Sequence, residues 1–181
     1  MDLKADIERV LKEKTWMIRA DNDGFSVSEE ANGFEWNDIG EWTEAPDWKP
    51  TNKCGHGLHG QNYKYGGLIF GKRVVFCEYD PSDMVPLYTK IKVRRARILM
   101  IGLPDNLSIH GDLDLSYTDI AQLPDNLFVG EDLDIDGTRI TKIPNNVFVG
   151  GNFYLWGTPI EKLPDTLVVR GCIHHNYRNI G

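Results

Sequence analysis

The chain is short of cysteine and of long apolar runs, and each shortage removes a class of protein. Its three cysteines, Cys54, Cys77 and Cys172, are scattered over distant segments of 181 residues. That is an odd number without the spacing of a disulfide framework, so they are expected to be reduced and mostly buried. No stretch approaches the roughly 18 to 20 continuous apolar residues that a bilayer-spanning helix needs. The opening Met-Asp-Leu-Lys-Ala-Asp-Ile-Glu mixes charges where a secretory signal carries an apolar core. The expectation is a cytoplasmic protein without membrane attachment. A hydrophobic fraction of 41% is enough to bury a core, which argues against disorder.

Basic residues are scarce in two places. Residues 103–181 hold 5 Lys or Arg against 11 Asp or Glu, a balance of −6 that leaves −1 of the chain's −7 for residues 1–102. Within that first part, Asp21 to Asp47 has 9 carboxylates and no Lys or Arg, whereas Trp48 to Gly102 has 10 basic residues and 3 carboxylates. Two outcomes are open: the segments neutralise each other within one fold, or the basic one forms a groove for an anionic ligand. Direct nucleic-acid binding is disfavoured by the acidic pI of about 5.2.

Residues 1–102 read as a small α+β domain. Leu3, Ile7, Val10 and Leu11 stand at helical spacing within Asp2 to Lys14, so an amphipathic helix is expected to open the chain and pack on a sheet. Thr15 to Ala20 reads as a strand. Asp21 to Pro50, rich in Gly, Asn, Pro and Trp, reads as an irregular surface on which Trp36, Trp42 and Trp48 look exposed. Leu68 to Tyr79 has the β-branched and aromatic content of two short strands around Gly71-Lys72, and Leu87 to Met100 reads as one long strand with a bulge after Arg95. Alternation in that strand puts Lys90, Lys92 and Arg94 on one face and Ile91 and Val93 toward a core. Asp80-Pro81-Ser82-Asp83 marks a turn.

Residues 103–181 are four gapless units of one 20-residue pattern: LPDNLSIHGDLDLSYTDIAQ, LPDNLFVGEDLDIDGTRITK, IPNNVFVGGNFYLWGTPIEK and LPDTLVVRGCIHHNYRNIG. A repeat of this length predicts a short, right-handed β-solenoid or leucine-rich-repeat-like stack of four coils, because one coil cannot bury its own apolar face but stacked coils can. Expected ladders are Leu103, Leu123, Ile143, Leu163; Ile109, Val129, Val149, Val169; Leu113, Leu133, Phe153, Ile173; and Ile120, Ile140, Ile160, Ile180. Thr118, Thr138 and Thr158 should point inward and bond backbone.

The outward rows are the candidate partner-binding residues. Asp114, Asp134, Tyr154 and His174 form one; Asp112, Asp132, Asn152 and Cys172 form the row two residues earlier. Trp156 adds an aromatic anchor beside Tyr154. Stacked carboxylates repel one another, so the rows either satisfy turn amides or present an acidic strip to a basic surface.

A second candidate site is Lys53 to Gly60, which reads Lys-Cys-Gly-His-Gly-Leu-His-Gly. Cys54, His56 and His59 are competent metal ligands, but no second Cys or His pair follows at zinc-site spacing, so no metal and no cofactor is expected. Together with Tyr63, Tyr65, Lys90, Lys92 and Arg94 they would line a ligand pocket. The structural alternative is a tight glycine loop in which His59 bonds backbone.

The repeat resembles bacterial and bacteriophage members of the leucine-rich-repeat superfamily, whose L-x-L-x-x-N-x-L core maps onto Leu133-Asp134-Ile135-Asp136-Gly137-Thr138-Arg139-Ile140. Thr138 replaces the Asn of that core, which leaves horseshoe and straight solenoid both open. The resemblance implies binding of another macromolecule rather than catalysis. Separately, Trp36 through Leu58-His59 to Val74-Val75, with the strand up to Ile98, resembles a small uncharacterised domain of bacteriophage and bacterial proteins that carries a C-x-x-G-L-H element. The Cys54 to Tyr65 stretch with Gly71-Lys72 and Glu78 also resembles the scattered His, Tyr and Glu of ADP-ribosyltransferase-like folds, which implies a nucleotide ligand or transferase as the alternative.

The expectation from these resemblances is a non-enzymatic, phage-encoded accessory protein in the host-cell cytoplasm. It would inhibit a host defence complex, such as an anti-CRISPR protein does, through its acidic repeats and a basic surface on the host protein. Pairing with a second copy through the open end of the stack is also expected.

Overall fold

The computed structural model describes residues 2–22, 34–64, 66–69 and 71–175. Helix α1 (Leu3–Glu13) begins where the Asp2 side chain accepts the Ala5 N–H at 3.1 Å and ends where Lys14 turns left-handed with φ 58°. Its apolar stripe, Leu3, Ile7, Val10 and Leu11, packs on the core as the periodicity predicts. Arg9 pins the helix to the sheet through Glu78 at 2.8 Å, and Asp6 bonds Arg97 at 2.9 Å.

Strand β1 (Trp16–Asp21) lies at the edge of an antiparallel sheet ordered β1-β5-β8-β2, with β2 Trp42–Glu44, β5 Arg73–Tyr79 and β8 Arg95–Ile101. All six β1 residues are buried because both faces of the sheet are covered. Trp16, Ile18, Ala20, Val74, Phe76 and Leu99 face one core; Met17, Val75, Cys77, Ala96 and Ile98 face another. The bulge expected after Arg95 falls at Leu99, where the register with β5 shifts between Phe76 and Cys77. The turn at Asp80 is a short 3-10 helix, Pro81–Asp83.

Leu87 to Met100 is two strands rather than one. The chain bends at Arg94, so that β7 (Ile91–Val93) belongs to a different sheet, pairing with β3 (Leu58–Gly60) and β6 (Val85–Pro86), while β8 joins the larger one. Alternation holds in β7, with Ile91 and Val93 in the second core and Lys92 on the other face. Ile91, Lys92 and Val93 are all fully buried, because a loop covers the basic face as well.

From Leu103 onward the chain is a β-solenoid. Pairs of two-residue strands recur every 20 residues: β9 (Ser108–Ile109) and β10 (Leu113–Asp114), β11 (Phe128–Val129) and β12 (Leu133–Asp134), β13 (Phe148–Val149) and β14 (Phe153–Tyr154), β15 (Val168–Val169) and β16 (Ile173–His174). They build two parallel sheets whose registers advance by one repeat per rung, Leu113↔Leu133↔Phe153↔Ile173 in one and Ile109↔Val129↔Val149↔Val169 in the other. Three turns, Leu103 to Lys162, are described in full; Ile180 of the last expected ladder lies outside the described residues. Thr118, Thr138 and Thr158 point inward, and each hydroxyl donates to the carbonyl three residues earlier at 2.7 to 2.9 Å.

The solenoid is continuous with what precedes it. Strand β4 (Gly67–Leu68) pairs with β10 as the first rung of one solenoid sheet, and one hydrophobic cluster runs from Val10 and Trp16 through Leu103 to Ile160. The coils thus start from a preformed edge instead of an open one.

Candidate functional site

The corner sequences Pro-Asp-Asn in the first two coils and Pro-Asn-Asn in the third place Asn106, Asn126 and Asn146 at φ 63°, 56° and 58°, a left-handed conformation that Asn tolerates better than other side chains. Their carboxamides form a ladder, each donating to the one a coil below at 3.0 to 3.1 Å. A similar ladder runs through the earlier acidic row. The Asp112 carboxylate accepts the Asp132 N–H at 2.9 Å, Asp132 accepts the Asn152 N–H at 2.6 Å, and the Asn152 carboxamide accepts the Cys172 N–H at 3.0 Å. Asp112 and Asp132 are therefore half-buried and tie successive coils together.

Asp114, Asp134, Tyr154 and His174 stand in register on the outer face. Asp114 and Asp134 each accept an N–H two residues on, from Ser116 at 2.9 Å and Asp136 at 2.8 Å. Burial, with Asp136 and Asp114 close by, pushes Asp134 up to about 6, and burial also raises Asp136. Asp136, which pattern reading passed over, accepts the Trp156 N–H at 2.5 Å. Tyr154 and His174 stack with ring centroids 4.6 Å apart, and Trp156 stays 45% exposed. This face combines carboxylates with flat aromatic surface.

The second solenoid sheet carries an aromatic ridge at an outward position that reads Ser108, Phe128, Phe148 and Val168. Phe128 and Phe148 stack 4.9 Å apart and nearly parallel, and the Arg170 guanidinium lies 5.4 Å from the Phe148 ring.

The Lys53 to Gly60 segment forms a tight loop through three successive positive φ values, 83° at Gly55, 54° at His56 and 153° at Gly57. It wraps the Lys92 ammonium, which donates to the carbonyls of Lys53 at 2.9 Å and Gly55 at 3.3 Å. A Cβ on Gly57 would meet Lys92 Cγ at 2.7 Å, so glycine is required there on two counts. Burial lowers the Lys92 pKa, with Cys54 and Asp47 opposing. His56 reaches Asp47 at 3.1 Å on the exposed side.

The expected pocket residues come together only in part: the Cys54–His56 loop and His59 adjoin Lys92, and the others are placed differently. Arg94 bonds Glu44 at 2.7 Å at the rim, and Lys90 is half-buried. Tyr63 sits elsewhere, in a cleft of about 70 Å³ with Leu11, Lys14, Trp16, Asn106, Ser108 and His110. Tyr65 lies outside the described residues. His59 is half-buried in β3, its ring held neutral by burial and by Lys90, Lys92 and Arg19, which pull its pKa down to about 4. Among the described residues no three His, Cys, Asp or Glu side chains gather as metal ligands.

The basic and acidic segments do neutralise one another in part, through Arg73 with Asp21 and Arg94 with Glu44. Two expectations of burial are corrected. Cys54 and Cys172 are exposed and only Cys77 is buried, its thiol pushed up to about 12 by desolvation; the exposed pair lies on a loop and on the last described rung. Trp36 is buried, since it packs in the second core beneath the Arg19 guanidinium.

No helix among the described residues is long and apolar enough to cross a membrane. No protein-family model, no curated protein and no solved structure matches this chain.

Proposed function

We propose that the protein is a binding module whose solenoid face of Asp114, Asp134, Tyr154, Trp156 and His174 docks on a basic surface of another macromolecule. The observation that carries this reading is the register of that face. Two carboxylates and two stacked rings are aligned one per coil, next to an exposed tryptophan, in a segment of net charge −6. Carboxylates steer a basic partner and set its orientation, and flat aromatics supply the desolvated contact.

In its most specific form the partner is a host defence complex, the protein is a phage-encoded inhibitor, and the basic surface is one that otherwise holds nucleic acid. Capture from host lysate is the test, with wild type compared against Asp114→Lys/Asp134→Lys. A partner retained by wild type, lost on charge reversal and displaced by added nucleic acid is expected. Equal recovery by both proteins would sink the reading.

A further inference from the structure

Two cations of this protein are withdrawn from water, and among the described residues neither has a carboxylate bonded to it. Lys92 is fully buried, and its ammonium is satisfied by the loop carbonyls already described, with Thr51 Oγ1 at 3.5 Å. Arg19 is 9% exposed, and its guanidinium carbon lies 4.3 Å from the centroid of the Trp36 ring. Among the described residues the Arg19 Nε has no hydrogen-bond partner. The acidic residue nearest in the chain, Asp21, has both oxygens taken by Arg73 at 2.8 Å.

The ring under Arg19 repeats the deficit. Trp36 is 5% exposed, and its Nε1–H, a donor with no other chemistry, is likewise unpartnered.

An orphaned buried donor costs about 1–3 kcal/mol and an uncompensated buried charge more. A stacked ring returns only about 0.5–2 kcal/mol to a guanidinium. An acceptor with negative charge would resolve both deficits at once, by taking the planar fork of Arg19 and the Trp36 N–H. We propose that Arg19 and Trp36 form a recessed receptor for a single oxyanion group, a phosphate or a carboxylate, of a small ligand. A guanidinium fork suits both groups, because each presents two oxygens in one plane. This receptor is independent of the acidic solenoid face, which lies on different elements.

The test is a titration of the full chain, labelled at tryptophan nitrogen, with inorganic phosphate and separately with acetate, using chloride at equal ionic strength as control. The Trp36 indole signal is identified among the five tryptophans by its loss in Trp36→Phe, which keeps the ring on which Arg19 stacks. That signal is expected to move and saturate with one of the oxyanions and to stay still with chloride. The oxyanion that binds more tightly decides between a phosphate ester and a carboxylate. Arg19→Lys, which keeps the charge and loses the fork, is expected to weaken binding about tenfold. A Trp36 signal unmoved by both oxyanions, or moved equally by chloride, overturns the proposal even if the Arg19 variant fails to fold. So does an unchanged affinity in a folded Arg19→Lys.

Discussion

Asp114 and Asp134 are direct partners in adjacent parallel rungs of the solenoid, so two carboxylates share one face at the spacing of neighbouring strands. The strain of that arrangement falls on Asp134, which burial and its acidic neighbours hold at about 6. Its folded value lies above the ordinary 3.8. The folded state therefore binds more protons than the unfolded state between those values, and stability falls as pH rises through that window. Asp134→Asn keeps an oxygen to accept the Asp136 N–H. It should raise stability by about 1 kcal/mol at neutral pH, a figure discounted for partial exposure, and change little at pH 4. Denaturant melts of both proteins across pH check this.

His59 should act in the opposite sense. Its folded value of about 4 lies below the ordinary 6.5. The unfolded chain takes up a proton first, and stability is lost as pH falls from 6.5 toward 4. His59→Gln should remove up to about 3 kcal/mol of that dependence, visible as a flatter profile of melting temperature against pH.

Asp132 is tied to Asn152 by the short bond from its carboxylate to the next coil's N–H. Asp132→Ala leaves that amide unpaired and should cost about 1.5–3 kcal/mol, whereas Asp132→Asn, which keeps an acceptor, should cost clearly less. If Asp132 instead serves only a partner, the two variants will unfold at the same denaturant concentration as wild type.

Gly150 tests how closely the coils approach. A Cβ there would collide with the Gly130 carbonyl oxygen, and the neighbour is backbone that cannot turn aside. Gly150→Ala should cost more than about 2 kcal/mol, comparable to overpacking a core. Gly102→Ala is no clean control, since φ there is 90° even though the space around it is open. Thr138→Val, which loses only the buried hydroxyl bond to the Ile135 carbonyl, should cost about 1 kcal/mol. Urea melts rank the variants.

The solenoid was legible because its cause is local and repeated. Every coil meets a near-copy of itself, so the 20-residue period alone aligns Leu113 with Leu133 and Thr118 with Thr138. The outward rows followed from the same period, but the Phe128–Phe148 ridge occupies a position that is Ser108 and Val168 in the flanking coils and so carried no repeated signal. Helix α1 and the bulge near Leu99 were legible for similar reasons, a helical stripe and a broken alternation.

The rest depended on contacts between segments far apart in sequence. Alternation placed Lys92 on the face opposite Ile91 and Val93, but it carried no sign that the loop at Lys53–Gly57 folds over that face from 35 or more residues away and replaces water with carbonyl oxygens. Glycines and a histidine in a row announced a loop; they did not say what it would cover. The Arg19 and Trp36 pairing had no signal in the pattern, because two single residues on separate segments carry no period. Sequence alone determined the repeating coil and its inward ladders, since stacking reads only the spacing of apolar residues. The tertiary structure decided which charges lost their water, since desolvation depends on what the rest of the chain lays over each side chain.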